Sequence, residues 1–195
     1  HLSAAETPFA FIAGDSHAEL FVGRQSVCNL HTVNGGISGA RAKNYNEALS
    51  HLIFPHKPDI FVLMIGTNDL LRKQNRFYES SPQIFEKEAE RLVKDASRLS
   101  KRLIVLSIPP ISSDLSRFFR VSDFADYKKA LKDSCAKHSC EFVDPYDKIR
   151  SSAPFLAIEG AMRDGLHLSS YRQAMRRLED FICTKVQPEQ RALIQ

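Results

Sequence analysis

The chain has 195 residues, of which 43% are hydrophobic, and its formal net charge is +4. This length suits one domain with a sizeable core and is short for two. The 27 basic and 23 acidic residues are spread along the chain, so the small positive excess does not indicate a nucleic-acid-binding module. No apolar run is long enough to span a bilayer, and we expect a soluble protein.

Cysteine and histidine are sparse and scattered. The four cysteines have no C-x-x-C spacing, which favours reduced thiols, although Cys135 and Cys140 are close enough in the chain to be bridged. Pro55 interrupts any helix face that could align His51 with His56, so we expect no metal site, and no cofactor is implied. The first residues lack the features of a secretion signal, which slightly favours a cytoplasmic location and leaves the compartment open.

Apolar, strand-like runs alternate with amphipathic, helix-like runs along the chain. Five runs are predicted to be strands: residues 9–13, 27–33, 60–65, 103–108 and 141–143. Such strands suit a parallel sheet whose two faces are both covered by helices. The pattern therefore predicts an α/β fold, a three-layer α/β/α sandwich with a central five-stranded parallel sheet of the flavodoxin-like type.

Apolar residues recur at the helical period of 3.6 over residues 84–99 and 124–131. A last helix is predicted from residue 170 to about 185, where Pro188 would end it. Residues 1–186 are thus predicted to form a single domain, and residues 187–195 a C-terminal tail.

The first motif, Gly14-Asp15-Ser16, directly follows the first predicted strand. It can place Ser16 as an exposed nucleophile at a helix N-terminus, with Gly14 permitting the sharp turn. Taken alone, the triplet is more typical of an ordinary turn in which Asp15 or Ser16 caps the helix. It is not the G-x-S-x-G elbow of α/β-hydrolases, because Ala18 stands in the place of the second glycine.

Two candidate oxyanion-hole donors follow the second and third strands. The glycine-rich segment 34–39 brings a free backbone N–H at Gly39, or is simply a flexible connection. The segment 66–69 offers the side-chain amide of Asn68, or is a turn that caps the next helix. In a parallel sheet both segments lie at the same edge as Ser16, which favours the catalytic interpretation.

The last motif, Asp164-Gly165-Leu166-His167, lies just before the final predicted helix. A single histidine is more often structural than catalytic. Here an acid three residues earlier can orient the imidazole and fix its tautomer. A serine after the first strand, with Asp164 and His167 supplied together near the end, is an order found in Ser-His-Asp systems.

Together these segments resemble the SGNH, or GDSL-type, hydrolase superfamily, which includes thioesterases, lysophospholipases and carbohydrate acetylesterases. The resemblance implies that Ser16 is the nucleophile, His167 the general base and Asp164 its orienting partner. It implies that Gly39 and Asn68 join the Ser16 amide as oxyanion-hole donors.

The resemblance covers residues 9–181, with one departure. His17 follows the nucleophile where the common motif has leucine. This form is also similar to SGNH domains attached to membrane O-acyltransferases of polysaccharides. It leaves acyl transfer to a sugar as an alternative to hydrolysis.

The substrate-contacting residues are less determined than the catalytic ones. Segment 115–127, which contains Phe118 and Phe119, could form a lid or an acyl-pocket wall, or could pack the next helix into the core. His17 is a further candidate for substrate contact. Basic residues also flank the motifs and could bind a polar or anionic saccharide, although solvated surface is the default interpretation: they are Arg41, Lys43, Arg72, Lys73, Arg76 and Arg163.

The sequence thus predicts a serine esterase that hydrolyses small acyl esters, acetyl above all, of a small molecule or saccharide through an acyl-enzyme. The alternatives are a saccharide O-acyltransferase, an acyl-thioesterase or lysophospholipase, and a catalytically silent carbohydrate-binding domain. No nucleic-acid partner is predicted. The sequence does not determine the oligomeric state.

Overall fold

The computed structural model describes residues 7–21, 26–72 and 81–190. Within these residues one six-stranded sheet is formed, in the spatial order β2-β3-β1-β4-β5-β6. The strands are β1 (Phe9–Gly14), β2 (Ser26–Val27), β3 (Leu30–Gly36), β4 (Ile60–Met64), β5 (Leu103–Leu106) and β6 (Glu141–Val143). All neighbours pair in parallel except β2, which is antiparallel to β3 at one edge. The predicted fold class is confirmed, since the five parallel strands have the flavodoxin-like order.

Helices cover both faces of this sheet, which is why its central strands are apolar throughout. The helices are α1 (Ser16–Phe21), α2 (Ala42–Leu49), α3 (Pro82–Leu99), α4 (Phe124–Lys137) and α5 (Tyr171–Gln190). In β1, Phe9, Phe11 and Ala13 face a core shared with α2, α3 and α4. Ala10 and Ile12 face the opposite core, shared with α1 and α5. Alternate residues of one strand therefore bury apolar surface in two separate layers.

Two elements differ from their predicted bounds. Predicted strand 27–33 is two strands, because Cys28 and Asn29 both have positive φ (51° and 63°) and form a two-residue hairpin turn. The last helix continues to Gln190 and does not end before Pro188. A proline in a final turn removes only one backbone hydrogen bond, so it does not have to end the helix there.

The expectation of reduced thiols is wrong, because the structure pairs all four cysteines. Cys28 in the β2–β3 turn is bonded to Cys183 on α5, with their Cα atoms 5.4 Å apart. Cys135 in α4 is bonded to Cys140, just before β6, with a Cα separation of 4.8 Å. The first pair is 155 residues apart in the chain, so only the packing of α5 beside the hairpin reveals it. Among the described residues, no helix combines the length and apolar character needed to cross a bilayer.

Candidate active site

Ser16 is the first residue of α1 and lies at the carboxyl end of the central strand β1. The turn that places it there requires glycine: Gly14 has a φ of 135°, and a Cβ on it would lie 1.7 Å from the carbonyl oxygen of Met64. Asp15 fixes the turn from both sides. Its N–H donates to the Met64 carbonyl at 3.0 Å, and its carboxylate accepts the N–H of His17 at 2.9 Å. The hydroxyl therefore sits on a rigid helix start at the sheet edge.

His167 and Asp164 reach this hydroxyl from the loop before α5. Nε2 of His167 lies 3.0 Å from Oγ of Ser16, and Nδ1 lies 2.7 Å from Oδ2 of Asp164. The other carboxylate oxygen accepts the backbone N–H groups of Leu166 and His167, at 3.0 and 2.7 Å. With Nδ1–H donating to Asp164, Nε2 is free to accept the Ser16 proton. This is the arrangement of a Ser-His-Asp system.

The charge of Asp164 is stabilised locally. Desolvation by burial acts to raise its pKa, but the hydrogen bonds from His167 and Leu166 outweigh it and hold the pKa well below its ordinary value. Arg163 adds a cation 3.8 Å from the same carboxylate. Asp164 therefore stays ionised and keeps the His167 ring in one tautomer.

The predicted oxyanion-hole residues converge on the same edge. Gly39 lies in the exposed loop after β3 and has a φ of 75°. Asn68 follows β4, is 7% exposed, and donates one amide hydrogen to the Ala40 carbonyl at 3.1 Å. The neighbouring Asp69 carboxylate accepts the Ala42 N–H at 3.1 Å and so caps α2. Two consecutive residues of the segment after β4 thus hold the chain that directly follows Gly39.

A buried polar layer lies beneath the nucleophile. Desolvation by burial raises the pKa of Asp15 to about 7, and the nearby Asp69 adds to this effect. His17 is 1% exposed and its Nδ1 lies 2.9 Å from the Tyr171 hydroxyl. Burial lowers the pKa of His17 to about 3, with the charge of His167 as a second cause. Sequence analysis does not single out Tyr171, because an aromatic residue in an amphipathic helix is typical of a core position.

The structure moves two expected substrate contacts into the interior. His17 lies buried with its ring 5.4 Å from that of His167, and Phe119 is only 3% exposed in the core. His17 is therefore not available to substrate, and Phe119 faces only the small apolar recess that it lines with Thr67. The sequence pattern does not show which side of a loop residue is covered. Phe118 is 44% exposed and stacks under the Arg117 guanidinium. Phe124 packs in the core.

The basic residues around the motifs have different surroundings. Arg163 is half exposed beside the Asp164 carboxylate. Arg41 directly precedes α2; burial raises the pKa of Asp69 to about 6, and the charge of Arg41 partly opposes this rise. Arg72 uses its Nε–H to bind the Phe119 carbonyl at 2.9 Å, which fastens segment 115–127 to the β4 loop. Lys43 is the second residue of α2, and the predicted substrate-contact candidates Lys73 and Arg76 lie outside the described residues.

A groove opens beside the Asp164 loop, with a volume of about 610 Å³. Its walls are two segments tied together by the Ser112 N–H, which donates to the Gly165 carbonyl at 2.8 Å. Polar side chains dominate the lining: Ser112, Ser113, Asp114, Glu159, Arg163 and Asp164. Within the described chain, no cluster of three or more His, Cys, Asp or Glu side chains is placed to hold a metal ion.

Comparison with known proteins gives a family match over most of the chain. The model of the GDSL-like Lipase/Acylhydrolase family matches residues 11–171. A lipase/acylhydrolase from Enterococcus faecalis superposes with a TM-score of 0.71 at 16% identity, covering 91% of this chain and 96% of that one. The hydrolase LAE5 from the Lake Arreo metagenome gives 0.68 at 19% identity, covering 94% and 97%.

An acetylxylan esterase from Geobacillus stearothermophilus gives a TM-score of 0.67 at 19% identity, covering 94% of this chain and 95% of that one. At such identities the superpositions establish a shared fold. Curated proteins give no match to this chain.

Proposed function

The chain belongs to the GDSL-like lipase/acylhydrolase family and is a carboxylic ester hydrolase, and from this premise we propose that it removes small acyl groups, acetyl above all, from the hydroxyls of an uncharged saccharide or similar polyol. The observation that carries the proposal is the 3.0 Å contact between Ser16 Oγ and His167 Nε2, across 151 residues of chain. The remaining support comes from the two regions that would receive the acyl group and the alcohol.

Ser16 attacks the ester carbonyl carbon while His167 Nε2 takes its proton, and the carbonyl π electrons move onto oxygen. The oxyanion accepts hydrogen bonds from the backbone N–H groups of Ser16 and Gly39 and from the second amide hydrogen of Asn68. Collapse breaks the ester C–O bond, and His167 returns the proton to the leaving alcohol. Water then attacks the acyl-enzyme by the same steps and releases the acid.

The apolar recess that begins at Thr67 is our candidate for the space that receives the acyl group. This recess is lined by Thr67, the residue before Asn68, and has a volume of about 10 Å³. That is about the space of one water molecule, so a fatty chain does not fit. Phe119 and Phe124 close the recess.

The polar groove beside Asp164 fits the alcohol part of the ester. Hydroxyls and carboxylates in its lining are suited to hydrogen-bond a polyhydroxylated group. Asp114 and Glu159 add negative charge that opposes a polyanionic ligand, so we favour an uncharged alcohol over the anionic saccharide that the basic residues had indicated. The acetylxylan esterase among the similar structures acts on an ester of this chemical class.

The test is hydrolysis of p-nitrophenyl acetate, butyrate and octanoate, followed by release of acetate from acetylated xylo-oligosaccharides. We expect the highest kcat/KM for acetate esters and loss of nearly all turnover in Ser16→Ala. Ser97→Ala, which alters an exposed serine of α3, is the matched control and should retain full activity. Preference for octanoate, or full activity of Ser16→Ala, would overturn the proposal. Acetylated product formed from an added sugar acceptor would assign acyl transfer instead.

A further inference from the structure

A chain of hydrogen bonds joins α1 to the glycine-rich loop after β3. The Ser38 hydroxyl donates to the Glu19 carboxylate. The Glu19 carbonyl accepts the side-chain amide of Asn34 at 2.9 Å, and the oxygen of that amide accepts the Gly36 N–H at 2.8 Å. The side chain and the backbone of Glu19 thus both bind the same loop.

The loop also packs closely against the start of α1. A Cβ on Gly36 would lie 2.1 Å from the backbone nitrogen of Glu19, so only glycine allows this approach. The next residue, Ile37, donates its N–H to the Gly14 carbonyl at 2.9 Å. Backbone contact therefore fixes the base of the loop, and the Ala40 N–H donates to the Ile37 carbonyl at 3.0 Å across its tip. The Ser38–Glu19 bond is the side-chain contact that ties this tip to α1.

The positions of these residues in the chain give the bond its significance. Glu19 lies three residues after Ser16 on the same short helix, and Ser38 immediately precedes Gly39. Nothing lies within 4 Å of where a Cβ on Gly39 would be, so the tip has little packing of its own. The bond joins the two segments that carry the two backbone oxyanion donors.

We propose that Glu19 is a positioning residue that holds the Gly39 N–H at the oxyanion through its bond to Ser38. The inference rests on the proposed function, because it needs Ser16 to be the nucleophile. Oxyanion donors act only within about 2.7–3.1 Å of the developing charge. A displacement of about 1 Å can cost up to about 10²-fold in rate. Glu19 and Ser38 are exposed, so their bond adds little to folding stability and its loss should be felt in catalysis.

The experiment compares Glu19→Ala, Ser38→Ala, the double variant and Glu19→Gln with p-nitrophenyl acetate. Each alanine variant should lower kcat about 10-fold with KM within about twofold, since the donor acts in the transition state. The double variant should lose no more than either single one, because both break one bond. Glu19→Gln keeps an acceptor for Ser38 and should recover most of kcat. Melting temperatures should stay within a few degrees.

Phosphonylation of Ser16 by a fluorophosphonate provides a second readout that does not depend on the ester chosen. It should slow in Glu19→Ala and recover in Glu19→Gln. If the unmodified protein neither hydrolyses the ester nor reacts with the probe, the proposed function and the inference fall together. If the unmodified protein does react, the proposed function stands and two results would overturn the role of Glu19. These are an unchanged kcat in the alanine variants, or losses of kcat in the two single variants that multiply in the double variant.

Discussion

The hydroxyl of Tyr171 lies 2.9 Å from Nδ1 of His17, whose ring centroid is 5.4 Å from that of His167, the catalytic histidine candidate. This contact joins the residue after the nucleophile to the first residue of α5. Since burial lowers the pKa of His17 to about 3, its imidazole is neutral at physiological pH and does not pass a proton to or from His167. The pair is therefore a buried polar support under the site and not a second proton carrier.

Removing one partner of this pair should destabilise the fold. Tyr171→Phe leaves the buried Nδ1 of His17 without its hydrogen bond, and we expect the free energy of unfolding to fall by about 1–2 kcal/mol. In a His17→Leu background the same change should cost clearly less, because no imidazole remains to be left unpaired. Urea denaturation of the four proteins measures both costs. Equal costs in the two backgrounds would show that the pair is not coupled.

The buried carboxyl of Asp15 should make stability depend on pH. Burial raises its pKa from 3.8 to about 7 in the folded protein, so the folded state retains a proton that the unfolded chain loses. Its stabilising contribution is present below pH 3.8 and is lost as pH rises through 7. Asp15→Asn cannot titrate and keeps an acceptor for the His17 N–H. Relative to the original protein, it should therefore gain up to about 4 kcal/mol between pH 4 and 8.

Chemical denaturation across this pH range measures the difference. The pKa of His17 is lowered on folding, so its contribution to stability changes with pH in the opposite direction. Both proteins contain His17, so this contribution cancels in the difference between them. Asp126→Asn makes the same charge change at an exposed position of α4 and controls for the change in net charge, so the difference for Asp15→Asn is compared with it. A flat difference for Asp15→Asn would show that the Asp15 carboxyl is ionised in the fold throughout.

The positions of Ser16, Gly39 and Asn68 could be predicted because the sequence places each after an apolar run. Parallel strands bring their carboxyl ends to one edge, so strand order did not have to be known for these three residues to converge. His167 and Asp164 could be placed because a loop before a last helix also ends at that edge. Local pattern and one topological rule thus bring these residues to one edge, and the family resemblance supplies their predicted roles.

Side-chain contacts between distant segments could not be predicted in the same way. Glu19 looks like an ordinary solvated acid on a short helix, and nothing in the sequence connects it to Ser38. Phe119 and Phe118 are adjacent and chemically identical, yet only the packing of the β4 loop decides that one is buried and the other exposed. Which side chains touch depends on the tertiary arrangement of the loops, and the spacing of residues along the sequence does not predict it.

The two disulfides should contribute unequally to stability. Cys28–Cys183 closes a loop of 155 residues and Cys135–Cys140 a loop of five, and the loss of chain entropy on cross-linking grows with loop length. Replacing the first pair with alanine should cost about 5 kcal/mol and replacing the second about 2 kcal/mol. Thermal melting with and without a reducing agent measures the effects. A melting temperature unchanged by reduction would contradict the pairing.

Asn68→Ala should lower kcat by about 10²–10³-fold while KM stays similar, since the amide is proposed to meet charge that develops only in the transition state. The bond from its other amide hydrogen to Ala40 fixes its orientation before substrate binds. Steady-state kinetics with p-nitrophenyl acetate measures the two constants. Asn46→Ala is the control, because that buried amide binds Glu88 of α3, so its removal should lower stability without this loss of kcat. A rise in KM with unchanged kcat would instead assign Asn68 to ground-state substrate binding.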